Sequence, residues 1–492
     1  MSIGSSPPAR RASALLASVA AFALADSAFA QSAPPEGASA AVQAQIDALQ
    51  AQVQALQAQL TDLRSQVAAS PQATAPAVGT PSAAPPIVLA TAAQPSAGAK
   101  PTESAGISHK PWYERLRLRG YTQLRYNAFL SGDETAPDRI SRLRSVHDAS
   151  INEDGGFSLR RVRLVLQGNV TDRVQLYLQH DFGAAVNNQS TTERREHFGQ
   201  LRDAYVDVFA DKEHRFRLRF GQSKVPFGWE NLQSSSNRIP LDRSDAINSG
   251  VPGERDLGVV AYYTPSQVQA TWTRLEKNGQ KLFGNYGAFG VGVFNGQGTN
   301  RTERNGGRMA VAMATWPFEL DALGPMFTGQ VLELGGSAML NKVRPELRSG
   351  GVSAVDYDDK RVGLHAILYP QPFGVQAEWT WGRGPEFDTT RQTIQDKKLG
   401  GGYVQLTYDA GKTPVGRMLP YARWQHYRGG WKASTNAPRL ETDELELGVE
   451  WQFMESLELT MAYARMKRRE ADERRNGRAV GDILRTQLQF SY

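Results

Sequence analysis

The chain has 492 residues, a formal net charge of +6 and no cysteine. Its length exceeds what one small domain needs, so more than one organisational unit is expected. The missing cysteine excludes disulfides, thiolate metal sites, a cysteine nucleophile and a lipid-modified N-terminal cysteine. The basic excess, with a pI near 9.3, suits anionic partners without identifying them.

Residues 1–30 have the layout of a secretory signal. Arg10 and Arg11 give a positive start, Ala14 to Ala25 an apolar stretch, and Ala28-Phe29-Ala30 a small-residue cleavage site before Gln31. The apolar stretch is too short to span a bilayer as a helix, and no run of about twenty apolar residues follows it. That does not argue for solubility, because barrel strands alternate and never produce such a run.

Residues 31–67 are expected to form a coiled-coil helix. Val42, Ile46, Leu49, Val53, Leu56, Leu60, Leu63 and Val67 are spaced 4-3-4-3-4-3-4, an unbroken heptad seam. The flanking positions Gln45, Gln52, Gln59 and Gln66 are all glutamine, so charge does not choose the partner helix. The seam residues favour a parallel dimer by the rules for model peptides. Residues 68–110 are rich in Ala, Pro, Ser and Thr, with six prolines from Pro71 to Pro95. Such a segment buries no core and reads as an extended linker.

From Pro111 to Tyr492 the pattern changes to period-2 alternation broken by Gly, Asn and Asp. Leu445, Leu447, Val449, Trp451 and Phe453 alternate with Glu446, Gly448, Glu450 and Gln452. Stretches of nine or ten residues exceed the usual strand of a soluble sandwich and match a tilted membrane crossing. Sixteen candidate strands fall near 114–128, 157–170, 174–182, 200–209, 215–222, 257–264, 286–295, 308–317, 327–340, 361–369, 373–382, 400–409, 418–428, 443–453, 457–466 and 483–492. The gaps alternate long and short, as external loops and periplasmic turns do. The expected fold is therefore all-β, a sixteen-stranded antiparallel transmembrane barrel. Val268 to Arg274 also alternates; an even strand count makes it an insertion within a turn.

Phe220-Gly221-Gln222-Ser223-Lys224-Val225-Pro226-Phe227-Gly228-Trp229-Glu230 is followed, after a polar loop, by Pro252-Gly253-Glu254-Arg255-Asp256-Leu257-Gly258-Val259. This pairing resembles the strand, inward-folded loop and return strand of the phosphate-selective porin O and P family. Leu201 to Val206, Val293 to Gly296, Gly402 to Leu406 and the N-terminal heptads are similar to it too. The resemblance spans most of 111–492 and implies a sixteen-stranded trimeric barrel carrying anions, phosphate or polyphosphate in its best-known members. A trimer disagrees with the dimer preference of the seam; the all-glutamine flanks make the seam the weaker guide. Tyr492 stands where such barrels more often end in Phe, which keeps the aromatic.

A porin needs inward charges that attract one sign of ion and hold it weakly. Leu116, Leu118 and Leu124 set the lipid face of the first strand, which sends Arg115, Arg117, Arg119, Gln123 and Arg125 inward. The same argument turns Arg161 and Arg163, and then Arg217 and Arg219, to the lumen. The loop from about Ser223 to Glu254 is expected to fold inward as the constriction, bringing Lys224, Arg238 and Arg243, with Arg255 at its exit. Arginine stays charged and offers a fork of donors to an oxyanion. Asp181, Asp203, Asp207, Glu446 and Glu450 also face inward and temper the selectivity.

The expected partners are small anions, outer-membrane lipid, two further copies of the chain, and peptidoglycan or another periplasmic contact for the coiled coil. Nucleic acid is not among them. No catalytic residue, cofactor or metal is expected. His180, His197 and His214 lack ligand spacing, and Gly290, Gly292 and Gly296 lie in a strand with no helix after them. Two alternatives remain: a general, sugar or organic-acid pore, for which Phe227 and Trp229 would supply stacking, and an envelope tether whose coiled coil does the work.

Overall fold

The computed structural model describes residues 111–132, Leu143, Ile151, 155–183, 199–284, 286–471, Glu473 and 476–492. The expected signal, heptad helix and linker lie outside the described residues. Sixteen long antiparallel strands run β1 (Leu116–Gly132), β2 (Gly156–Thr171), β3 (Val174–Asp181), β4 (Gln200–Phe209), β5 (Phe216–Lys224), β6 (Arg255–Tyr263), β7 (Phe289–Phe294) and β8 (Met309–Glu319), then β9 (Val331–Val343), β10 (Tyr357–Leu368), β11 (Phe373–Asp388), β12 (Thr393–Tyr408), β13 (Gly416–Gly430), β14 (Arg439–Met454), β15 (Leu457–Ala471) and β16 (Asn476–Ser491). Lys412–Thr413 adds a two-residue arm folded back on the start of β13. Each strand pairs with its sequence neighbours, and β1 pairs with β16 through Tyr121↔Ser491 to Gly132↔Gly481, which closes the barrel. Tyr492 completes the seam: Gly120 N–H donates to its carbonyl at 2.6 Å.

Alternation decides the two faces. In β5, Phe216, Leu218 and Phe220 are exposed while Arg217 and Arg219 are buried inside. Exposed aromatics gather at the end that carries the short turns. Phe216 stacks on Tyr263 at 4.3 Å, Phe373 lies 4.9 Å from Tyr408, and Phe490 lies 5.5 Å from Tyr492. Such a girdle marks a membrane–water interface, and in outer-membrane barrels the turn end is periplasmic. The turns are tied by their own side chains: Asp211 accepts from the N–H groups of Arg215 and Phe216 at 2.9 and 2.8 Å.

Strands β11 to β16 are 15 or 16 residues long, longer than their apolar alternation predicts. The extra residues lie at the loop end, where Arg465, Lys467 and Arg478 take over the outer face; the sheet continues beyond the apolar band with polar residues outside. The doubtful stretch at 268–274 is an insertion in the β6–β7 turn, and it is a helix, Ser266–Lys277. Its Val268, Trp272 and Leu275 are buried, a 4-3 spacing that suits one helical face better than a strand.

Between β5 and β6 the chain runs back into the barrel. It carries two short helices, α1 (Trp229–Leu232) and α2 (Asp245–Gly250); the insertion is then α3. Gly228, at φ 84°, makes the inward bend, and a Cβ there would lie 2.9 Å from Ile247 and 3.0 Å from Glu378 Oε1. The inner loop and α3 share an apolar cluster with the inner faces of β6 to β10, built on Val225, Phe227, Trp229, Trp272, Leu275 and Phe283. Glu333 sits inside that cluster. It accepts from Trp229 Nε1 (3.1 Å), Trp272 Nε1 (3.0 Å), Thr315 Oγ1 (2.7 Å) and Tyr369 OH (2.8 Å), which satisfies its oxygens with neutral donors.

Candidate functional site

The inner loop touches the wall almost all the way round. Ser235 Oγ meets Tyr121 OH at 2.7 Å, and Gly228 N–H donates to Ser337 Oγ at 3.1 Å. Arg361 Nη1 donates to Ser249 Oγ at 2.6 Å, and Arg423 Nη1 to Glu230 Oε1 at 2.6 Å. Arg468 bridges Asp245 on the loop (2.6 Å) and Glu444 on the wall (2.8 Å). Asp242 takes Arg125 at 2.8 Å and also Arg485, one strand further round. Buried arginines thus pin the loop through its acids, and they hold it across the lumen.

The sequence-predicted residues are placed as follows. Arg125 binds Asp242, the Leu241 carbonyl and Gln487. Arg161 donates to Gln123 Oε1 at 2.8 Å. Arg163 pairs with Asp181 at 2.7 Å and reaches Tyr121 OH and Ser235 Oγ. Arg119 is half-buried and donates to Gln167 at 3.3 Å. Arg219 grips Asp207 with two bonds of 2.8 Å and lies over the Tyr205 ring at 3.8 Å. Arg217 lies over Tyr262 at 4.7 Å and 3.6 Å from Asp207. Arg243 donates to Asn231 and Asn248 and stands 3.3 Å from Glu254. Arg255 binds Asp203 at 2.8 Å and Glu254 at 2.5 Å.

Three placements correct the sequence expectation. Arg115 ends a short 3₁₀ turn, Trp112–Arg115, ahead of β1, so strand parity does not govern it, and both it and Arg117 are exposed at the turn-end rim. Lys224 is the last residue of β5 rather than part of the loop, and its ammonium is enclosed by the carbonyls of Asn231 (2.9 Å), Leu232 (3.4 Å) and Gln233 (2.6 Å) and by Glu254 at 3.3 Å. Phe227 and Trp229 are 0% and 2% exposed within the apolar cluster.

Several buried arginines keep one nitrogen without a hydrogen-bond partner among the described residues, Arg161 and Arg468 among them, and Arg238 keeps two. Arg238 is 5% exposed, yet its Nε and Nη2 have no hydrogen-bond partner among the described residues. Arg423 carries a further buried nitrogen without a partner, Nη2. Burial lowers the Arg238 pKa from its ordinary value; Glu230, Glu254 and Asp242 oppose this and Arg423 adds to it. A guanidinium nevertheless keeps its charge at neutral pH. Burial pushes the Asp242 carboxyl up, but Arg125 and Arg485 override it and hold it well below the usual carboxylate range. Glu254 is held low in the same way, by Arg243, Lys224 and Arg255 against its burial.

Between loop and wall lies a narrow gap, with about 10 Å³ open to the centre of a water molecule, bordered by Arg243, Arg423, Arg468 and Arg485 and by Asp242 and Glu444. A closed barrel with a loop folded inside and paired charges along its inner wall is the plan of a pore. The model for the family described as phosphate-selective porin O and P matches residues 142–492. The chain belongs to that family. Among solved structures it is similar to the outer-membrane channel DcaP of Acinetobacter baumannii, at 14% identity and TM-score 0.46, over 77% of this chain and 97% of that one. It is also similar to OmpF of Salmonella typhi (12%, TM-score 0.48, 77% and 97%) and to an anion-selective porin from Comamonas acidovorans (11%, TM-score 0.43, 77% and 99%). No curated protein matches it.

This porin's gap is lined by three wall arginines that sequence reasoning did not select: Arg423, Arg468 and Arg485. Their signal was present. Tyr421, Arg423, Gln425 and Tyr427 alternate inward, as do Arg485, Gln487 and Gln489. Assigning the faces of every strand, rather than of the arginine-rich early ones, would have found them. As a member of a porin family with this barrel, the protein is an outer-membrane channel.

Proposed function

We propose that this porin gives passive passage to small anions, with oxyanions of the phosphate class favoured over chloride. The observation that carries the proposal is the set of buried guanidinium N–H groups on Arg238 and Arg423 that lack an acceptor. A buried donor without a partner is costly, and an oxyanion or water supplies what is missing. Each charge-assisted bond contributes ~1.5–3 kcal/mol, enough to draw an oxyanion in, while the neighbouring acids Asp242 and Glu230 weaken the hold and permit release. The wall arginines Arg125, Arg163, Arg217, Arg219 and Arg255 act in this scheme mainly by pairing with loop and wall acids, and Arg161 is held by Gln123.

Burial of Phe227 and Trp229 in the apolar cluster counts against a sugar path that stacks rings on them. Assembly as a homotrimer, a cleaved signal over 1–30 and a periplasmic coiled coil over 31–67 belong to the same proposal. They rest on the family resemblance and on heptads that need partner chains.

The test is the current through purified protein in a planar bilayer. Chloride current should fall as inorganic phosphate is titrated in and should be unaffected by a neutral hexose. Block by hexose without block by phosphate would replace the anion proposal with a sugar pore. A protein that conducts nothing would favour the tether.

A further inference from the structure

The charged gap does not open directly onto the turn end. Along β13 the inward residues run Arg417, Leu419, Tyr421, Arg423, Gln425 from the turn end upward. Arg423 and Gln425 border the charged gap, whereas Arg417 and Leu419 border a second space under the loop, with about 30 Å³ open to the centre of a water molecule, which Ile239, Lys281 and Gln233 also line. The first space has room for about one water and the second for about two. Tyr421 stands between them, and on it packs Ile239 of the inner loop, with Ala462 completing the contact.

The wall is shaped to take this contact. The Tyr421 ring lies over Gly448, where a Cβ would come within 2.6 Å of its Cζ. Its hydroxyl is turned aside to Glu446 Oε1 at 2.7 Å, so it is the ring that faces Ile239. Ile239 is 8% exposed and Ala462 2%. An apolar contact set between the charged gap and the mixed, largely apolar space beneath it, which Ile239 also borders, obstructs ions by dewetting rather than by charge.

We infer that Ile239 and Tyr421 form an apolar gate in the lumen, which limits conductance, while the arginines above it set ion preference. This rests on the pore reading but not on its anion selectivity. A polar side chain at Ile239 wets the contact, and a similar apolar one preserves it.

Single-channel conductance in symmetric KCl, followed by reversal potential under a KCl gradient, tests it with Ile239→Ser and Ile239→Leu. Ile239→Ser should raise conductance at least about twofold, because passage depends exponentially on barrier height. It should leave the reversal potential unchanged, and Ile239→Leu should conduct like the parent. Parent-like conductance in a folded Ile239→Ser channel overturns the gate and leaves the porin intact, whereas a silent parent protein overturns both. Should Ile239→Ser not fold, Ile239→Cys serves, since the chain has no other cysteine. A charged methanethiosulfonate should then change the open-channel current stepwise, and unchanged current through labelled protein overturns the gate.

Discussion

The two sides of the lumen are built from opposite materials. The side formed by β6 to β10 is filled: α3 and the inner loop pack Trp229, Trp272, Leu275 and Phe283 against the wall, and the Glu333 carboxylate set among them is satisfied by neutral donors. The side formed by β13 to β16, β1 and β2 is charged and leaves a gap between loop and wall. Apolar burial is non-directional and tolerates filling, whereas a water path needs charges held at fixed spacing, which the loop acids supply by pairing. The comparison teaches that one loop does two jobs: its α1 end anchors the packed side and its Asp242 and Arg243 face the open one.

The largest expected effect lies on the packed side. Trp272→Ala should cost ~3–5 kcal/mol, the usual range for truncating a buried tryptophan, read as a fall in the urea midpoint of the folded barrel. It should leave ion preference alone, and a shifted reversal potential would blur the division between the two sides. On the charged side, Asp242→Asn removes the carboxylate that Arg125 and Arg485 share. It should cost up to ~3 kcal/mol, at the low end for breaking a buried pair because the lumen holds water, while strengthening anion preference.

Acid should act late. A carboxyl held below its unfolded value contributes stability that is present above that value and is lost as pH falls through the folded one. Asp242 and Glu254 are both held well below their ordinary 3.8 and 4.5. Loop docking, followed by protease resistance and reversal potential, should therefore be constant from pH 7 down to about 4 and change only below that. A transition near pH 5 would mean that these carboxyls are not paired as described. The smallest effect is expected at the rim: Arg115→Gln with Arg117→Gln should leave the reversal potential within experimental scatter, since both side chains are exposed to bulk water.

Much of the barrel was legible because alternation is a local property: Phe216, Leu218 and Phe220 against Arg217 and Arg219 give a strand and both its faces from five residues. The ends of β14 to β16 were not, since beyond the membrane the outer face turns charged and the pattern that marks a crossing stops. Helix α3 was legible as an insertion but not as a helix, its apolar residues being few enough to fit either period. For the site, facing could be read and pairing could not. Arg219 and Arg238 look alike in sequence; only the fold sets Asp207 against the first and leaves two nitrogens of the second without an acceptor.

That contrast supplies the most direct test: the reversal potential of the purified channel under a KCl gradient, for the parent, Arg238→Gln and Arg217→Gln. The parent should favour anions, Arg238→Gln should lose a clear part of that preference, and Arg217→Gln, on β5 beside Asp207 and Tyr262 and away from the charged gap, should match the parent. Equal shifts in the two variants, or a parent that favours cations, would contradict the account.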